Sequence, residues 1–499
     1  MSVAESYILA LDQGTTSSRA IIFDKAGRAV SVSQKPFTQS YPQPGWVEHD
    51  PEEIWSTQVG AARDAIAAAR IPPSQIAGIG IANQRETAVF WDRRTGNPVG
   101  PAIVWQDRRT TDICRRLSAE GLEKTVGERT GLLLDPYFSA TKIMWFLQAD
   151  PGNRSKAQAG EICFGTVDSW LLSKLTGKHL TDPSNASRTM LFDIGKGAWD
   201  KELASAMGVP TAMLPDVSPS SSEFGTAPAS LLGAAIPVRG ILGDQQAALL
   251  GQACLEPGDV KVTYGTGCFC LLATGAKRVR SSNRLLTTVA WDLGRGLEYA
   301  LEGSVFIGGA VVQWLRDELR ILSSAAESET MARAVTDTAG VYFVPAFVGM
   351  GAPYWDPEVR GSIFGITRGT RQEHIVRAGL ESVAFQTRDL VDAMQRDAGK
   401  SIRSVRVDGG ASTNAFLMQF QSDILGMPLV RPKTFETTAL GAAFAAGLRA
   451  GVWETRETLS RIWQADAIFE PSMPAVTRGA LVEGWTAAVR AARSFGKRG

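Results

Sequence analysis

The chain has 499 residues, enough for two to four domains at roughly 150 residues each, every one with a sizeable core. Its 52 Lys plus Arg are balanced by 51 Asp plus Glu, a net charge of +1, so no global field draws it to nucleic acid or anionic lipid, and neither a polynucleotide nor a membrane is expected as partner. Five cysteines, an odd number in so long a chain, fit a reduced compartment better than a disulfide framework, which points to the cytoplasm.

The first predicted element is the apolar strand 7–11, Y-I-L-A-L, which runs through Asp12, Gln13 and Gly14 into Thr15, Thr16, Ser17 and Ser18 and returns along strand 20–23. Ordinary hairpin turns use two residues such as Asn-Gly; this one crowds hydroxyls and backbone N–H groups around a single Gly, a composition that can hold an anion. No basic region precedes the first apolar run, and no apolar stretch reaches membrane-spanning length, so neither a secretory signal nor a span is expected. Lys25-Ala26-Gly27-Arg28 then turns the chain into a third strand near 29–33.

A helix follows. Asp50 can cap it, Pro51 suits its first position, Glu53 completes a capping-box pattern, and Ile54, Ala61, Ala62, Ile66 and Ala69 form its apolar face up to Pro72-Pro73. Strands at 76–82, 87–91 and 102–105 alternate with helix in the manner of a layered α/β domain. Residues 112–232 read as more helical, with Pro- and Ser-rich loops such as 215–222.

The second half begins again. Strand 260–264, the turn Gly265-Thr266-Gly267 and strand 268–273 repeat the opening pattern about half the chain away, followed by a hairpin around 292–296 and a helix at 309–319. A third turn, Asp408-Gly409-Gly410, leads from strand 405–407 into a helix with Ser412 or Thr413 as cap, Phe416, Leu417, Phe420 and Ile424 facing inward, and Gly426 as its stop. Backbone N–H groups at such a helix start can meet a nucleotide. The Ala- and Gly-rich stretch 439–451 reads as a helix whose backbone lies close to a neighbour. Alternation in Cys268-Phe269-Cys270 buries both thiols on one face, which argues against a Cys268 nucleophile. The three histidines are far apart, so zinc is disfavoured, and neither common nucleotide motif, G-x-x-x-x-G-K-[ST] or G-x-G-x-x-G, occurs.

Singly, each Gly turn is a common connector. In combination, two Gly-Thr hairpins and a strand-Asp-Gly-Gly-helix resemble the phosphate and adenosine loops of the actin, heat-shock chaperone and sugar kinase superfamily. P-G-W-V-E-H-D-P (44–51), N-Q-R-E-T (83–87), W-Q-D-R-R-T (105–110), G-D-Q-Q-A-A (243–248), Y-G-T-G-C-F (264–269) and G-M-G-A-P-Y-W-D-P (349–357) resemble the glycerol kinases of the carbohydrate kinase family. The likeness runs from residue 7 to about 450.

The resemblance implies an α/β fold of two actin-like (ribonuclease H-like) domains, 1–251 and 252–499, related by internal duplication, with a cleft between them. It implies ATP-dependent phosphorylation of glycerol to sn-glycerol 3-phosphate by direct in-line transfer, with Asp244 as general base. Arg85, Glu86, Trp105, Tyr137, Asp244, Gln245 and Phe269 would bind the polyol. Asp12, Gly14, Thr15, Thr16, Ser17, Arg19, Thr266, Gly309, Gln313, Gly410 and Asn414 would border the nucleotide, Asp12 also placing Mg²⁺, largely through water. A homo-oligomer, dimer or tetramer, is implied as well.

The residue chemistry agrees with this. Arg85 offers a fork of donors and Glu86 an acceptor, a pair able to clasp vicinal hydroxyls, although a strand-end ion pair is the plainer reading of the two alone. Trp105, Tyr137 and Phe269 can cover a carbon skeleton or simply fill a core. Asp244 can serve as base or as the N-cap of a helix from Gln246. Kinases of pentoses or pentitols, and ATP-hydrolysing filament proteins or chaperones without a small acceptor, are the competing functions. The glycerol kinases inhibited by fructose 1,6-bisphosphate carry an Arg beside the Ile-Pro that precedes G-D-Q-Q, where this chain has Ala235. Lacking a guanidinium partner for the phosphate, the chain is expected to resist that sugar phosphate, and a low-micromolar inhibition constant would contradict the expectation.

Overall fold

In the computed structural model, which describes residues 6–496, the opening residues form the antiparallel pair Tyr7–Gln13 and Ser17–Phe23, extended by Ala29–Pro36. Tyr7–Gln13 then pairs in parallel with Ile76–Asn83, that strand in parallel with Ile236–Gly243, and Ser221–Ala227 closes the sheet antiparallel. Strands buried on both faces require near-continuous apolar runs, and Ile8, Leu9, Ala10, Ile79 and Ile81 are each fully buried.

The second half repeats the plan. Val260–Tyr264 and Cys268–Gly275 form the hairpin, Val405–Asp408 and Leu429–Pro432 the parallel neighbours, and Ala465–Phe469 the antiparallel closing strand. Leu297–Val305 adds to the hairpin as Ala29–Pro36 does, and Leu286–Asp292 is an extra edge strand. The hairpin, its third strand and the two parallel neighbours keep one spatial order in both halves, as the Gly-Thr turns announced, while the closing strand precedes its neighbour in the first half and follows it in the second.

Helix Pro51–Ala69 covers the first sheet with Ile54, Ala61, Ala62 and Ile66 buried, and Asp50 caps it by accepting from Glu52 N at 2.9 Å. The capping box does not close, because Glu53 turns to accept from the Thr38 N–H and hydroxyl, each at 3.1 Å. The two predicted caps after Gly410 also give way to a third: residues Gly410–Thr413 make a 3₁₀ turn, and Asn414 accepts from Leu417 N at 2.9 Å to start helix Ala415–Leu425.

Helix Thr437–Ala450 returns from the second half to lie against the first sheet and helix Asp244–Gly251. A methyl on Gly80 would overlap the Ala442 carbonyl, one on Gly441 the Ala247 carbonyl, and one on Gly251 the Thr437 carbonyl. Glycine here lets backbones touch, so the small-residue stretch joins the two halves.

Buried acids away from the cleft set a pH dependence. Burial pushes Asp168 up to about 7, with Asp182 adding to it and Thr166 and Thr181 opposing. Burial pushes Glu381 up to about 7 against Arg377, and Asp389 up to about 6 against the Trp485 and Tyr354 donors. All three lie above the ordinary values of 3.8 and 4.5, so the folded chain holds protons that the unfolded chain has released. Their contribution to stability is full below the ordinary values and is lost as pH rises through 6 and 7. Glu302, held down at about 2, has the opposite sign but titrates below this window. His49 and His179, both held down at about 4 by burial, also have the opposite sign. They offset part of the loss between about pH 5.5 and the ordinary histidine value of 6.5, but the three acids together outweigh them. The urea midpoint is therefore expected to be lower at about pH 8 than at about pH 5.5.

Candidate active site

The opening turn is closed by Gly14 N donating to Ser17 O at 3.0 Å. Behind it, Gln84 Nε2 donates to Gly14 O at 3.0 Å and to Gln13 Oε1 at 3.1 Å, and Gln84 N donates to Gln13 O at 2.7 Å. The carbonyl side of the turn is thus tied into the protein, while Thr16 at its tip is exposed. Ser17 Oγ accepts from Gln34, and Arg19 donates to Gln34 at 3.0 Å and forms an ion pair with Glu436. Asp12 stands opposite Arg19 in the ladder. Burial pushes its carboxyl up to about 7; Arg19 opposes, while Glu436 and Asp244 add to the push.

The second and third turns share one wall. Gly265 N donates to Gly267 O at 2.9 Å, Gly308 N to Thr266 O at 2.8 Å, and Gly309 N to Gly265 O at 2.8 Å, so Thr266 and Gly309 form one knot ahead of helix Ala310–Asp317. Gly409, at φ +85°, packs on the Tyr264 backbone, where a Cβ would come within 2.5 Å of its carbonyl oxygen. Gly410 beyond it has open space, Gln313 is exposed, and Asn414, besides its capping role, donates to Ser328 Oγ at 3.3 Å.

Arg85 and Glu86 lie at the end of Ile76–Asn83, with Glu86 in the left-handed region at φ 62°, a conformation worth about 1–3 kcal/mol of strain in a non-Gly residue and a mark of functional sites. Both side chains are buried rather than exposed at a strand end. Arg85 donates to Glu302 at 3.0 Å, to Gln246 Oε1 at 3.2 Å and to Tyr137 OH at 3.4 Å, and its Nε lies 3.2 Å from Asp244 Oδ1. Most of the expected fork is therefore spent on the protein. Glu86 accepts from Arg188 Nε at 2.6 Å.

Three aromatic rings meet beside these charges. Trp105 stands edge-on to Tyr137 at 5.7 Å and to Phe269 at 6.4 Å between ring centres, the last supplied by the second half. Trp105 Nε1 also donates to Thr15 Oγ1 at 3.0 Å, so the apolar wall is anchored to the opening turn. Its backbone is set by a clamp: Arg109 pairs with Asp107 and Glu48, each at 2.8 Å, and stacks 3.7 Å from the Trp46 ring. Much of P-G-W-V-E-H-D-P and W-Q-D-R-R-T is this clamp. Phe269 faces away from Cys268 and Cys270, both buried and pushed up to about 12 by burial, which leaves no reactive thiol there.

Asp244 is the first residue of helix Asp244–Gly251; Gly243 holds the cap position, so the capping role read from sequence is not the one it plays. Gly243 N donates to Ser184 Oγ at 2.9 Å, and Asp244 Oδ1 accepts from Gln245 N at 2.7 Å. Its side chain is 29% exposed. Burial raises its pKa, with Arg85, Lys261 and the Gln245 N–H opposing. The Gln245 side chain accepts from Lys261 Nζ at 2.5 Å, and Lys261 donates in turn to Thr263. Carboxylate, aromatic wall and Gly turns thus line one region between the halves, a set able to seat a small hydroxylated molecule beside a phosphate chain.

Family models of FGGY carbohydrate kinases match here in two pieces, the N-terminal domain over residues 7–251 and the C-terminal domain over 260–450. The chain belongs to the FGGY family of carbohydrate kinases. It is 56% identical to a glycerol kinase of Symbiobacterium thermophilum over 493 residues, covering 98% of this chain and 99% of the relative. A glycerol kinase of Deinococcus radiodurans is also 56% identical, with 98% of each chain covered. Among solved structures, Plasmodium falciparum glycerol kinase with ADP superposes with a TM-score of 0.92 at 36% identity over 98% of both chains. The ligand-bound xylulose kinase of Lactobacillus acidophilus shares the fold, with a TM-score of 0.90 at 22% identity over 99% of this chain and all of its own.

In this FGGY kinase, sequence reading missed the inner layer of the site: Arg188, Glu302 and Lys261. Two of the three had a faint signal, and Arg188 had none. Glu302 and Lys261 sit inside apolar strands, Leu297–Val305 and Val260–Tyr264, where an unpaired charge would cost several kcal/mol.

Proposed function

We propose that this kinase transfers the γ-phosphoryl group of ATP to a terminal hydroxyl of glycerol in one in-line step, giving sn-glycerol 3-phosphate and ADP. The observation that carries the reading is the contact of Trp105 with Thr15, which joins an apolar wall for a small carbon skeleton to a turn built for phosphate, 3.2 Å of side-chain separation linking Arg85 to Asp244 in the same layer. The names of the full-length relatives support glycerol as acceptor.

Asp244 orients the attacking hydroxyl and takes its proton. A base with a raised pKa serves this better at neutral pH than an ordinary aspartate, and the loose transition state asks more for orientation than for proton abstraction. Trp105, Tyr137 and Phe269 bury the carbon chain, while Glu86, Gln245 and Arg85 meet its hydroxyls, Arg85 exchanging its long 3.4 Å contact with Tyr137 OH for one to the polyol. The Gly14–Thr16 and Gly265–Gly267 turns hold the phosphates through backbone N–H groups, and Gly410 leaves room for the adenosine.

Asp12 suits Mg²⁺ on an observation of its own: it is buried close to two other acids, Glu436 and Asp244, an excess of negative charge that a hard dication relieves. Among the described residues no group of three or more His, Cys, Asp or Glu converges on a metal position, so phosphate and water oxygens would complete the shell. Held there through Asp12, such an ion would supply positive charge to offset that of the phosphate chain.

We further infer domains at 1–251 and 252–499, closing on both ligands. A dimer or tetramer follows from the family resemblance, and five buried free cysteines support the cytoplasm. No helix among the described residues is long and apolar enough to cross a membrane. The test is ADP release with glycerol, dihydroxyacetone, xylulose, ribulose and gluconate as acceptors. Glycerol is expected to give the highest kcat/KM; ATP turnover indifferent to every acceptor, or a pentulose preference, would overturn the reading.

A further inference from the structure

Arg188 lies just beyond the short helix Pro183–Ala186 and is fully buried. Its Nε donates to Glu86 at 2.6 Å and its Nη2 to Glu302 at 2.9 Å, while Nη1 has no hydrogen-bond partner among the described residues. The guanidinium stands 5.7 Å from the Tyr137 ring centre and 5.3 Å from that of Phe138. Glu302 accepts from Arg85 as well, so one carboxylate ties two arginines together. Two arginines and three acids, Glu86, Glu302 and Asp244, share this buried layer.

We propose that Arg188 is a positioning residue for the acceptor: its charge keeps Glu86 an ionised, acceptor-only carboxylate, and through Glu302 it holds Arg85 against Asp244. The inference rests on the polyol-site reading above and deepens it. The groups facing Glu86 are Arg85, Arg188 and Glu302, with Tyr137 and Lys142 on the next elements. Burial already raises its pKa, and the two arginines are what pull it back against Glu302. With Arg188 removed, Glu86 takes up a proton and presents a donor where a hydroxyl proton should be received.

The test uses the purified full chain, with initial rates against each substrate from about pH 6 to 9, where a perturbed carboxyl titrates. Arg188→Met is expected to raise the KM for glycerol about ten-fold or more, increasingly as pH falls, with the KM for ATP within about three-fold. Arg188→Lys, which keeps a charge, is expected to restore a flat pH profile. A pH-independent fall in kcat/KM for both substrates together, an unchanged glycerol KM, or a lysine variant as pH-dependent as the methionine one would each overturn the proposal.

Should Arg188→Met prove insoluble, Glu86→Gln/Arg188→Met decides against Glu86→Gln alone. Without the Glu86 carboxyl the pH dependence is expected to vanish from both, any remaining difference being the constant cost of loosening Arg85 through Glu302; a glycerol KM in the double variant that still climbs as pH falls would contradict the proposal. Wild type measured in the same series keeps the cases apart, since a wild type that does not phosphorylate glycerol refutes the functional reading rather than the role of Arg188.

Discussion

Asp244→Asn is expected to lower kcat by about 10³-fold, within the range of a positioned general base, while the KM values for glycerol and ATP stay within a few-fold. The amide keeps the shape of the side chain and an oxygen for the Gln245 N–H, so helix Asp244–Gly251 still starts at the same residue. What disappears is the negative charge and the second carboxylate oxygen, Oδ2, which receives the proton; Oδ1 is the one held by the Gln245 N–H and by Arg85 Nε at 3.2 Å. The wild-type acid limb of kcat/KM should also lie above 3.8, the ordinary aspartate value, since burial outweighs Arg85 and Lys261. Steady-state kinetics with both substrates varied checks this, and a variant with weakened glycerol binding but normal turnover would reassign Asp244 to recognition.

Gly441→Ala is the second large effect, expected to cost at least about 3 kcal/mol, the upper end for forced overpacking, because the obstacle is backbone and not a movable side chain. Its methyl meets the Ala247 carbonyl, while Gly251 meets Thr437 in the reciprocal contact, so the two helices cannot part at one point alone. Separation would also shift Asp244 at the start of one helix and Glu436, the partner of Arg19, at the start of the other. Both the urea midpoint and kcat should fall. Gly479→Ala is the control: it lies in helix Ala475–Gly496 with open space around it, and should leave stability unchanged or raise it by about 0.4–1 kcal/mol.

The parts legible in the sequence were those that local chemistry determines. The Gly-Thr turns, the repeat of strand, turn and strand, and the small-residue helix each follow from conformational or steric needs of a few neighbouring residues. Cap details failed where a distant competitor intervened: Thr38 captured Glu53, and Asn414 took the cap from Ser412 and Thr413. The charged layer was hidden for a different reason. Arg85 meets Glu302 across 217 positions, and Arg188 meets Glu86 across 102, so no window of sequence holds both members of either pair. Motif likeness named Arg85 and Glu86, but only the fold shows that their partners are other buried charges.

A crystal structure of the full chain with glycerol, Mg²⁺ and a non-hydrolysable ATP analogue tests the central claim most directly. The account predicts a terminal oxygen of glycerol about 2.6–3.2 Å from the Asp244 carboxylate, its carbons against Trp105, and the γ-phosphate between the Gly14–Thr16 and Gly265–Gly267 turns. Glycerol seated beyond reach of Asp244, or a triphosphate held away from both turns, would contradict it.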